Sequence, residues 1–308
     1  MRTVGIIGLG LIGGSMALDL KRRGFASRTL GVESDPVAAQ AACTIGLVDE
    51  VVSYEDCIRR ADIIVVAVPV GTAVKMVPDI LDRLAAPEGK GSPAGTSALK
   101  SVPAGGPSPS KASAKIVIDV CSTKEPVCRA VEGHPCRAQY VSTHPMAGTE
   151  YSGPWAAQPG LFDGRACILA DAEESAPSAV ETIEALYGAL NMRVLRMDAR
   201  QHDVHTAYVS HISHVTSFAL ALTVLEKEKD EKHIFDLASG GFSSTVRLAK
   251  SNPDMWVPIL TQNRDNVLQV MDTYIDKMSQ FRDAVAARDD ARIRELILQA
   301  NKIKKIIR

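Results

Sequence analysis

The amino-acid sequence predicts an α/β domain with a doubly wound parallel sheet, followed by an all-helical domain. Three observations support this fold class. Short apolar runs rich in β-branched residues, such as 4–7 and 63–68, alternate with helical patterns up to about residue 199. A glycine-rich turn follows the first run. From about residue 200 to residue 308, only helical periodicity remains. We therefore divide the chain into domains 1–199 and 200–308.

The glycine-rich turn predicts a dinucleotide-binding, Rossmann-type domain. The strand Val4–Ile7 leads into G-x-G-x-x-G spacing, and we expect a helix to open at Gly14. This spacing allows a tight turn, a close backbone approach to a pyrophosphate and close packing of the helix on the strand. The residues predicted to bind the cofactor here are Gly8, Gly10, Leu11, Ile12 and Gly13.

Glu33 indicates which dinucleotide binds. It follows the second predicted strand, Arg28–Val32, about 20 residues after the glycines. A carboxylate there can accept both ribose hydroxyls of NAD and would repel the 2′-phosphate of NADP. We therefore predict NAD; an acidic surface turn is the alternative. The third predicted strand, 63–68, places Val68 and Pro69 at the same cofactor cleft.

The remaining elements follow the same two patterns. In the first domain we predict further strands at 115–120, 139–143, 165–170 and 192–197, and helices at 38–45, 74–84 and 178–190. In the second domain, helical patterns cover 201–228, 234–237, 244–251, 255–285 and 291–308. A helix of about 30 residues has more apolar face than one small domain covers. We therefore expect a homodimer.

Residues 86–114 differ from their surroundings, because Pro, Gly, Ser, Ala and Lys dominate and aromatic residues are absent. Such a segment buries too little apolar surface to offset the entropy of ordering it. We predict a flexible, low-complexity insertion in a surface connection; a basic lid is the alternative.

Composition excludes several functional classes. The formal net charge is −1 at pH 7, so we expect neither nucleic acid nor an anionic membrane as a partner. No apolar run approaches the roughly 20 residues of a membrane span, and the early first strand leaves no room for a signal peptide. We therefore expect a cytoplasmic protein. The six cysteines are irregularly spaced without a C-x-x-C pair, which favours reduced thiols over disulfides or a metal site.

His144 is the candidate base. It follows the predicted strand 139–143, at the carboxyl edge of the sheet where ligands bind in open α/β folds. A neutral imidazole is suited to taking a hydroxyl proton near neutral pH. Ser122 follows the preceding strand, within plausible reach of His144. We predict that both are catalytic; a histidine that caps a turn is the alternative.

The predicted helix 201–228 carries four histidines: His202, His205, His211 and His214. At about 100° per residue, they do not share one face, so this helix cannot gather all four around one metal ion. Ser210 and His214 share a face with His211 beside them, which fits a polar patch in a ligand site. Surface or core histidines are the alternative.

Arg247 is a candidate carboxylate ligand. The segment 240–247 reads GGFSSTVR, so its glycines allow a close backbone approach and Arg247 lies just inside a predicted helix. Arginine is suited to binding a carboxylate in a bidentate way. An exposed surface arginine is the alternative.

Five motifs can be compared with known families: GLGLIGGS at the start, D-x-x-S-x-K at 119–124, H-P-M-A-G-T-E-x-S-G at 144–153, H-D-x-x-x-A-x-x-S-H-x-x-H at 202–214, and G-F-x-x-x-x-R…P-x-M-W at 241–256. Together they resemble the prephenate and arogenate dehydrogenases of tyrosine biosynthesis, over nearly the whole chain. The sequence departs from the pattern common in that family at 212–213, which is Ile-Ser, and at 243–244, which is Ser-Ser.

The resemblance implies NAD-dependent oxidative decarboxylation of prephenate to 4-hydroxyphenylpyruvate. It implies that His144 takes the C4 hydroxyl proton, that Ser122 bonds to His144 and to the substrate, and that Arg247 holds the ring carboxylate. It also implies a substrate site lined by Thr149, Glu150, Ser210, His211 and His214. Arogenate dehydrogenase activity is one alternative. A β-hydroxyacid-type dehydrogenase, which would use a catalytic lysine, and an NAD-sensing module without a base are the others.

Overall fold

An eight-stranded sheet forms the centre of the first part of the chain. The structure is a computed structural model that describes residues 2–86, 114–229 and 233–306; most of the predicted insertion, residues 87–113, lies outside the described residues. The strands are β1 (Thr3–Ile7), β2 (Arg28–Val32), β3 (Glu50–Val51), β4 (Ile63–Val66), β5 (Ile116–Asp119), β6 (Tyr140–Pro145), β7 (Ala166–Ala170) and β8 (Arg193–Met197). Their order in the sheet is β3-β2-β1-β4-β5-β6-β7-β8, so the predicted fold class is confirmed.

The sheet is mostly, rather than wholly, parallel. β6 and β7 pair antiparallel, with His144 opposite Ile168, while β7 and β8 pair parallel. A parallel connection needs a crossover, usually a helix. Between β6 and β7 the described chain forms only a short 3₁₀ turn, Pro154–Ala156. The sheet that was predicted to be parallel is therefore antiparallel at this one pair.

Burial on both faces of the sheet explains the apolar runs in the sequence. All four residues of β4 are buried. Ile63 and Val65 belong to one apolar core cluster, whereas Ile64 and Val66 belong to another. Because successive strand side chains point to opposite faces, a strand covered on both sides is apolar at every position.

The helices around the sheet are α1 (Leu11–Arg22), α2 (Pro36–Ile45), α3 (Tyr54–Arg60), α4 (Val70–Ala85), α5 (Glu125–Ala130) and α6 (Pro177–Ala189). The sequence patterns did not indicate β3, α3 and α5, which are too short to show a clear period. They also placed the start of α2 two residues late, because Asp35 caps that helix by accepting the Val37 N–H at 2.9 Å.

The helices that follow are α7 (Ala199–Thr206), α8 (Ile212–Glu228), α9 (Gly240–Val246), α10 (Pro253–Gln262), α11 (Arg264–Ala286) and α12 (Asp290–Ala300). The chain forms two units: a sheet unit (Met1–Asp203 and Lys250–Gln262) and a helical unit (Val204–Ala249 and Asn263–Arg308). α10 packs against α4 within the sheet unit. The boundary at 199/200 stays a prediction.

Two predicted long helices are interrupted. The helix predicted over 201–228 contains a π-helical turn, Ala207–His211, so placing its histidines at a constant angle per residue is wrong beyond that turn. The helix predicted over 255–285 ends at Gln262, and a new helix begins at Arg264. Asn263, which lies between them, bonds to other side chains, and asparagine disfavours helix interiors for that reason.

The continuous helical run Ala199–Glu228 is long and apolar enough to cross a membrane by length and composition alone. The expectation that no segment approaches a membrane span is therefore wrong for this run, because its polar residues are mostly uncharged. Only 11% of its most apolar window is buried within the chain. Exposed apolar residues on such a helix also fit a subunit interface.

Candidate active site

The glycine turn after β1 has the geometry that a bound phosphate requires. Gly8 has a φ of +96°, and a Cβ there would lie 2.3 Å from the Ala67 carbonyl oxygen. At Gly13, a Cβ would lie 2.0 Å from the Gly8 carbonyl oxygen. At Gly10, by contrast, a Cβ would meet nothing within 4 Å. The turn is therefore closed towards the sheet and leaves open space beside Gly10, where a ligand can approach the backbone.

The N-terminus of α1 adds hydrogen-bond donors to this candidate phosphate site. The helix begins at Leu11, not at Gly14 as the sequence suggested. Its N-cap, Gly10, makes no side-chain hydrogen bond, and the first turn has no acidic residue. The first N–H groups, those of Leu11, Ile12 and Gly13, thus have no side-chain cap. These donors and the helix dipole are suited to a pyrophosphate.

Glu33 is held beside the same turn. Its Oε2 accepts the Leu9 N–H at 3.1 Å, and its Oε1 accepts the N–H groups of Ser34 and Asp35 at 2.8 and 3.1 Å. This is the position from which a carboxylate binds ribose hydroxyls. Val68 and Pro69 follow β4, and Pro69 is the N-cap of α4. The predicted cofactor residues therefore all lie at the carboxyl ends of β1, β2 and β4.

A buried ion pair joins the next two strands. Asp119 ends β5 and Lys124 precedes α5; their side chains pair with 0% exposure on either side. Asp119 also accepts hydrogen bonds from Tyr140 Oη at 2.5 Å and Ser142 Oγ at 3.2 Å, both on β6. Lys124 Nζ donates to the Thr143 carbonyl oxygen at 2.6 Å. The pair thus holds β6 against the turn that leads into α5. The contact point on β6 is Thr143, the residue before His144.

The charges of this pair are stabilised by each other. Burial alone would raise the pKa of Asp119, but Lys124 and the hydrogen bonds hold that pKa below its ordinary value. Burial would lower the pKa of Lys124, but Asp119 raises it above its ordinary value. Burial raises the pKa of Tyr140 and Tyr187 well above the ordinary value, so both phenols are neutral. Asp119 and Lys124 are therefore both charged at neutral pH, and the two tyrosines beside them are not.

His144 lies within β6 rather than after it, and it is 9% exposed. Its Nδ1 is 2.8 Å from Nε2 of His202, and Nδ1 of His202 is 2.7 Å from Oδ1 of Asp203. Asp203 in turn accepts the backbone N–H groups of Lys124 and Glu125, at 2.7 and 2.9 Å. We call His144, His202 and Asp203 the His–His–Asp array. It places an imidazole at the carboxyl edge of the sheet with its Nδ1 fixed.

Three other predicted residues lie near this edge. Ser122 is half-buried in the turn between β5 and α5. Within the described part of the chain, no hydrogen bond joins its hydroxyl to His144. Thr149 and Glu150 are half-buried in the loop after β6, and Thr149 Oγ1 accepts the Tyr151 N–H at 3.3 Å. Their assignments stay predictions.

The helical unit brings His214, Ser210 and Arg247 near one another. Nδ1 of His214 is 3.0 Å from the Ser210 carbonyl oxygen. Burial lowers the pKa of His214; the Ser210 carbonyl raises it, and the charge of Arg247 lowers it again, so the net shift is downward. Ser217 Oγ donates to the Thr245 carbonyl oxygen at 3.0 Å and so joins α8 to α9, which precedes Arg247. A neutral imidazole thus lies near a guanidinium.

His211 has a different environment. It is 1% exposed, and its Nδ1 is 3.2 Å from Nδ2 of Asn263. Since an amide nitrogen can only donate, the ring accepts this hydrogen bond at Nδ1. The contact stabilises the start of α11, which gives His211 a packing role. Its part in substrate binding stays a prediction.

His202 and Asp203 were not among the site residues that the sequence predicted. The signal was present, because these two residues open the motif that also contains Ser210, His211 and His214. Only the fold shows that His202 contacts His144, which lies 58 residues earlier, and that Asp203 bonds to His202. Among the described residues, no group of three or more His, Cys, Asp or Glu side chains could hold a metal ion.

A dinucleotide turn together with a histidine at the carboxyl edge of the sheet defines the class of nicotinamide-dependent dehydrogenases. Comparison with known families is more specific. The family model for the nucleotide-binding domain of prephenate dehydrogenase matches residues 16–86 and 109–196. The model for the dimerization domain of prephenate dehydrogenase matches residues 198–299. The chain therefore belongs to the prephenate dehydrogenase family, and the resemblance seen in its motifs is confirmed.

Individual relatives agree with this assignment. The prephenate dehydrogenase of Bacillus subtilis is 29% identical, over 93% of this chain and 71% of that protein. The cyclohexadienyl dehydrogenase of Zymomonas mobilis is 27% identical, over 98% of this chain and 94% of that protein. The crystal structure of A. aeolicus prephenate dehydrogenase with hydroxyphenyl propionate and NAD⁺ matches this structure with a TM-score of 0.80 and 25% sequence identity. The match covers 99% of this chain and 98% of that chain.

The buried ion pair generates a prediction about stability. In Asp119→Asn, the Lys124 ammonium is left buried without its counter-charge, so the free energy of unfolding at pH 7 should fall by about 3–5 kcal/mol. Denaturant unfolding at several pH values measures this. Glu132→Gln, at an exposed position, is the control and should change stability by less than about 0.5 kcal/mol.

The pH dependence has a definite sign. Because the folded pKa of Asp119 is depressed, its contribution is complete above the ordinary aspartate value and is lost as pH falls through the folded pKa. Because the folded pKa of Lys124 is raised, its contribution is lost as pH rises through that pKa. The difference between wild type and Asp119→Asn should therefore shrink in acid. A difference that is small at pH 7 would contradict a stabilising pair.

Proposed function

We propose that the protein converts prephenate to 4-hydroxyphenylpyruvate by oxidative decarboxylation, with NAD as the hydride acceptor, in tyrosine biosynthesis. The observation that carries this proposal is the His–His–Asp array at the carboxyl edge of a dinucleotide-binding sheet. Membership of the prephenate dehydrogenase family supports it, as does the B. subtilis relative of that name.

The binding of NAD is supported by the open space at Gly10, the uncapped N-terminus of α1 and the carboxylate of Glu33. The similar A. aeolicus structure contains NAD⁺. The N–H groups at the start of α1 would hold the pyrophosphate, and Glu33 would accept the ribose hydroxyls and disfavour a 2′-phosphate. Bound NAD supplies the hydride acceptor, which no side chain provides.

The chain's own residues supply the proton transfer and the alignment. His144 accepts the proton of the C4 hydroxyl as the C4–H bond breaks and its electron pair leaves as hydride. The bond from the ring to its carboxylate then breaks, carbon dioxide departs, and the electron pair of that bond completes the aromatic ring. The oxygen at C4 takes back a proton, so that the product is a phenol. Holding C4 and the carboxylate in place is the main task left to the protein. Ser122, Thr149 and Glu150 are the sheet-unit candidates for that task.

Arogenate is the second candidate substrate. It carries the same ring and undergoes the same ring chemistry. The Z. mobilis relative is named for cyclohexadienyl compounds in general, which favours testing both substrates.

Formation of NADH tests the proposed function directly. With purified protein, NAD and prephenate, absorbance at the wavelength of NADH should rise, with one carbon dioxide released per NADH. NADP should give the lower rate, because Glu33 repels its 2′-phosphate. Arogenate in place of prephenate decides between the two substrates. No NADH with either substrate would contradict the proposal and would favour a β-hydroxyacid-type enzyme or an NAD-sensing module.

Replacement of His144 tests the base. His144→Asn keeps some hydrogen bonding but cannot accept a proton, so kcat should fall by roughly 10²- to 10⁴-fold with little change in KM. The acidic limb of the profile of kcat/KM against pH should also disappear. His205→Asn, at an exposed position of the same fold, is the control. A His144→Asn enzyme with the wild-type rate and pH profile would remove His144 from the mechanism.

Arg247 is proposed to bind the ring carboxylate of the substrate. The carboxylate binds as an anion and departs as neutral carbon dioxide, so this ion pair stabilises the ground state at least as well as the transition state. Its loss should therefore raise KM rather than lower kcat. In Arg247→Gln, KM for prephenate should rise at least about tenfold. In Arg247→Lys, which keeps the charge but not the bidentate geometry, KM should rise less. An unchanged KM would place the anchor elsewhere.

A homodimer is proposed for the helical unit, whose match to a dimerization domain supports it. Large apolar side chains are exposed on α8 and α11: Leu222, Leu225, Leu268, Ile275 and Met278. Light scattering should give twice the chain mass of 33.0 kDa. Ile275→Asp should shift the protein towards monomer, whereas Ile45→Asp, at an exposed position of α2, should not. A fully active wild-type monomer would contradict the dimer.

A cytoplasmic location is proposed because the named relatives are dehydrogenases of small molecules, prephenate and cyclohexadienyl compounds. Cell fractionation tests it: the protein should accompany the NAD-linked metabolic enzymes. Recovery with the membrane fraction would instead give a second meaning to the apolar run Ala199–Glu228.

A further inference from the structure

The proposed base is the first member of a row of three buried side chains. His144 is 9% exposed, and His202 and Asp203 are each 1% exposed. The two imidazole rings have centroids 5.0 Å apart at an interplanar angle of 68°. In this edge-on arrangement, Nδ1 of His144 faces Nε2 of His202, in agreement with the distance of 2.8 Å between these two atoms.

Asp203 determines the direction of the hydrogen bonds. Its two carboxylate oxygens accept the backbone N–H groups of Lys124 and Glu125, at 2.7 and 2.9 Å. These groups lie at the N-terminal end of α5. Hydrogen bonds from backbone donors favour the ionised form of a carboxylate. An ionised carboxylate only accepts hydrogen bonds, so the partner nitrogen of His202 must carry a hydrogen.

The hydrogen on His202 in turn determines the tautomer of His144. A neutral imidazole carries one N–H, so with Nδ1 protonated, His202 has its lone pair on Nε2. That lone pair accepts a hydrogen from Nδ1 of His144. His144 consequently carries its own lone pair on Nε2, the nitrogen that a general base uses for the substrate proton. Reversal of any one bond in the row would reverse this result.

We propose that His202 and Asp203 are positioning residues that hold His144 in the Nδ1–H tautomer and stabilise the positive charge it acquires. This proposal rests on the proposed function, in which His144 takes the hydroxyl proton. In that step the substrate O–H bond breaks and a bond from Nε2 of His144 to hydrogen forms. The new charge lies in hydrogen-bonded contact with Asp203 through His202. An acidic partner is used in this way behind the histidine of serine hydrolases.

Among the described residues, Asp203 is the carboxylate that hydrogen-bonds to His202 in the array. On the side of β5 and α5, Asp119 and Lys124 neutralise each other, and Glu125 pairs with Arg129. On β7, burial raises the pKa of Cys167, so the thiol is neutral. Tyr140 and Tyr187 are also neutral, as described above.

Asp203→Asn tests the proposal, because it changes a charge and a hydrogen-bond direction with almost no change in size. The amide can donate to Nδ1 of His202, which reverses the row and protonates Nε2 of His144. We expect kcat to fall by about 10²- to 10⁴-fold, with KM for prephenate and Kd for NAD within about threefold of wild type. The acidic limb of kcat/KM should move to lower pH, because a charged imidazole is disfavoured without the carboxylate.

His202→Gln is the second variant. Its amide oxygen can accept from Nδ1 of His144 and keeps the productive tautomer, but the link to Asp203 is lost. Its kcat should therefore lie between those of wild type and Asp203→Asn. Asp82→Asn is the matched control, since it removes the carboxylate of another histidine pair, His134–Asp82 at 3.1 Å, and should leave kcat and the pH profile unchanged.

A spectroscopic measurement separates tautomer from activity. In protein labelled with ¹⁵N-histidine, the His144 signals should report Nδ1–H in wild type and Nε2–H in Asp203→Asn. Wild-type protein with Nε2–H on His144 would overturn the proposal, even if the variants did not fold. A wild-type pH profile in Asp203→Asn would overturn it as well. If wild type made no NADH from prephenate, the proposed function would fail, while the tautomer would still decide the role of Asp203.

Discussion

The ion pair between Asp119 and Lys124 is the interaction on which the rest of the site depends. Both charges are fully buried, so each is tolerable only because the other is present. The pair orders the end of β5, the end of β6 and the start of α5 at one point. His144 follows Thr143, whose carbonyl oxygen Lys124 binds, and Asp203 binds the backbone N–H of Lys124. The position of the proposed base is thus set from both sides by the same lysine.

The dinucleotide half of the sheet obeys a different constraint, which is steric. At Gly8 and Gly13 a side chain has no room, whereas at Gly10 the space is open. The turn can therefore pack tightly against the sheet and still leave its N–H groups at the start of α1 without a side-chain cap. Glu33 is oriented by three backbone donors, one of them from the glycine turn. Rigid backbone on one side of the edge and a buried charge network on the other define where a cofactor and a hydroxyl would meet.

The sequence predicted most of the fold because its strands are buried on both faces and therefore apolar throughout. Seven strands were found within a few residues of their observed ends, and β3, with two residues, was too short to show a pattern. The antiparallel return of β7 had no local signal, since it depends on the absence of a crossover helix. Helix continuity was overestimated at Ala207–His211 and at Asn263, where side-chain contacts override periodicity. For the site, spacing indicated Gly8, Glu33 and His144. The contact of His144 with His202, and through it with Asp203, joins distant parts of the chain and required the fold.

The central claim is that Nε2 of His144 meets the reacting hydroxyl while its Nδ1 stays bonded to His202. A crystal structure of this protein with NAD and hydroxyphenyl propionate tests it most directly. The account predicts the phenolic oxygen about 2.6–3.2 Å from Nε2 of His144, with the contact between His144 and His202 retained. A phenolic oxygen bound by another side chain, with His144 turned away from it, would contradict the account.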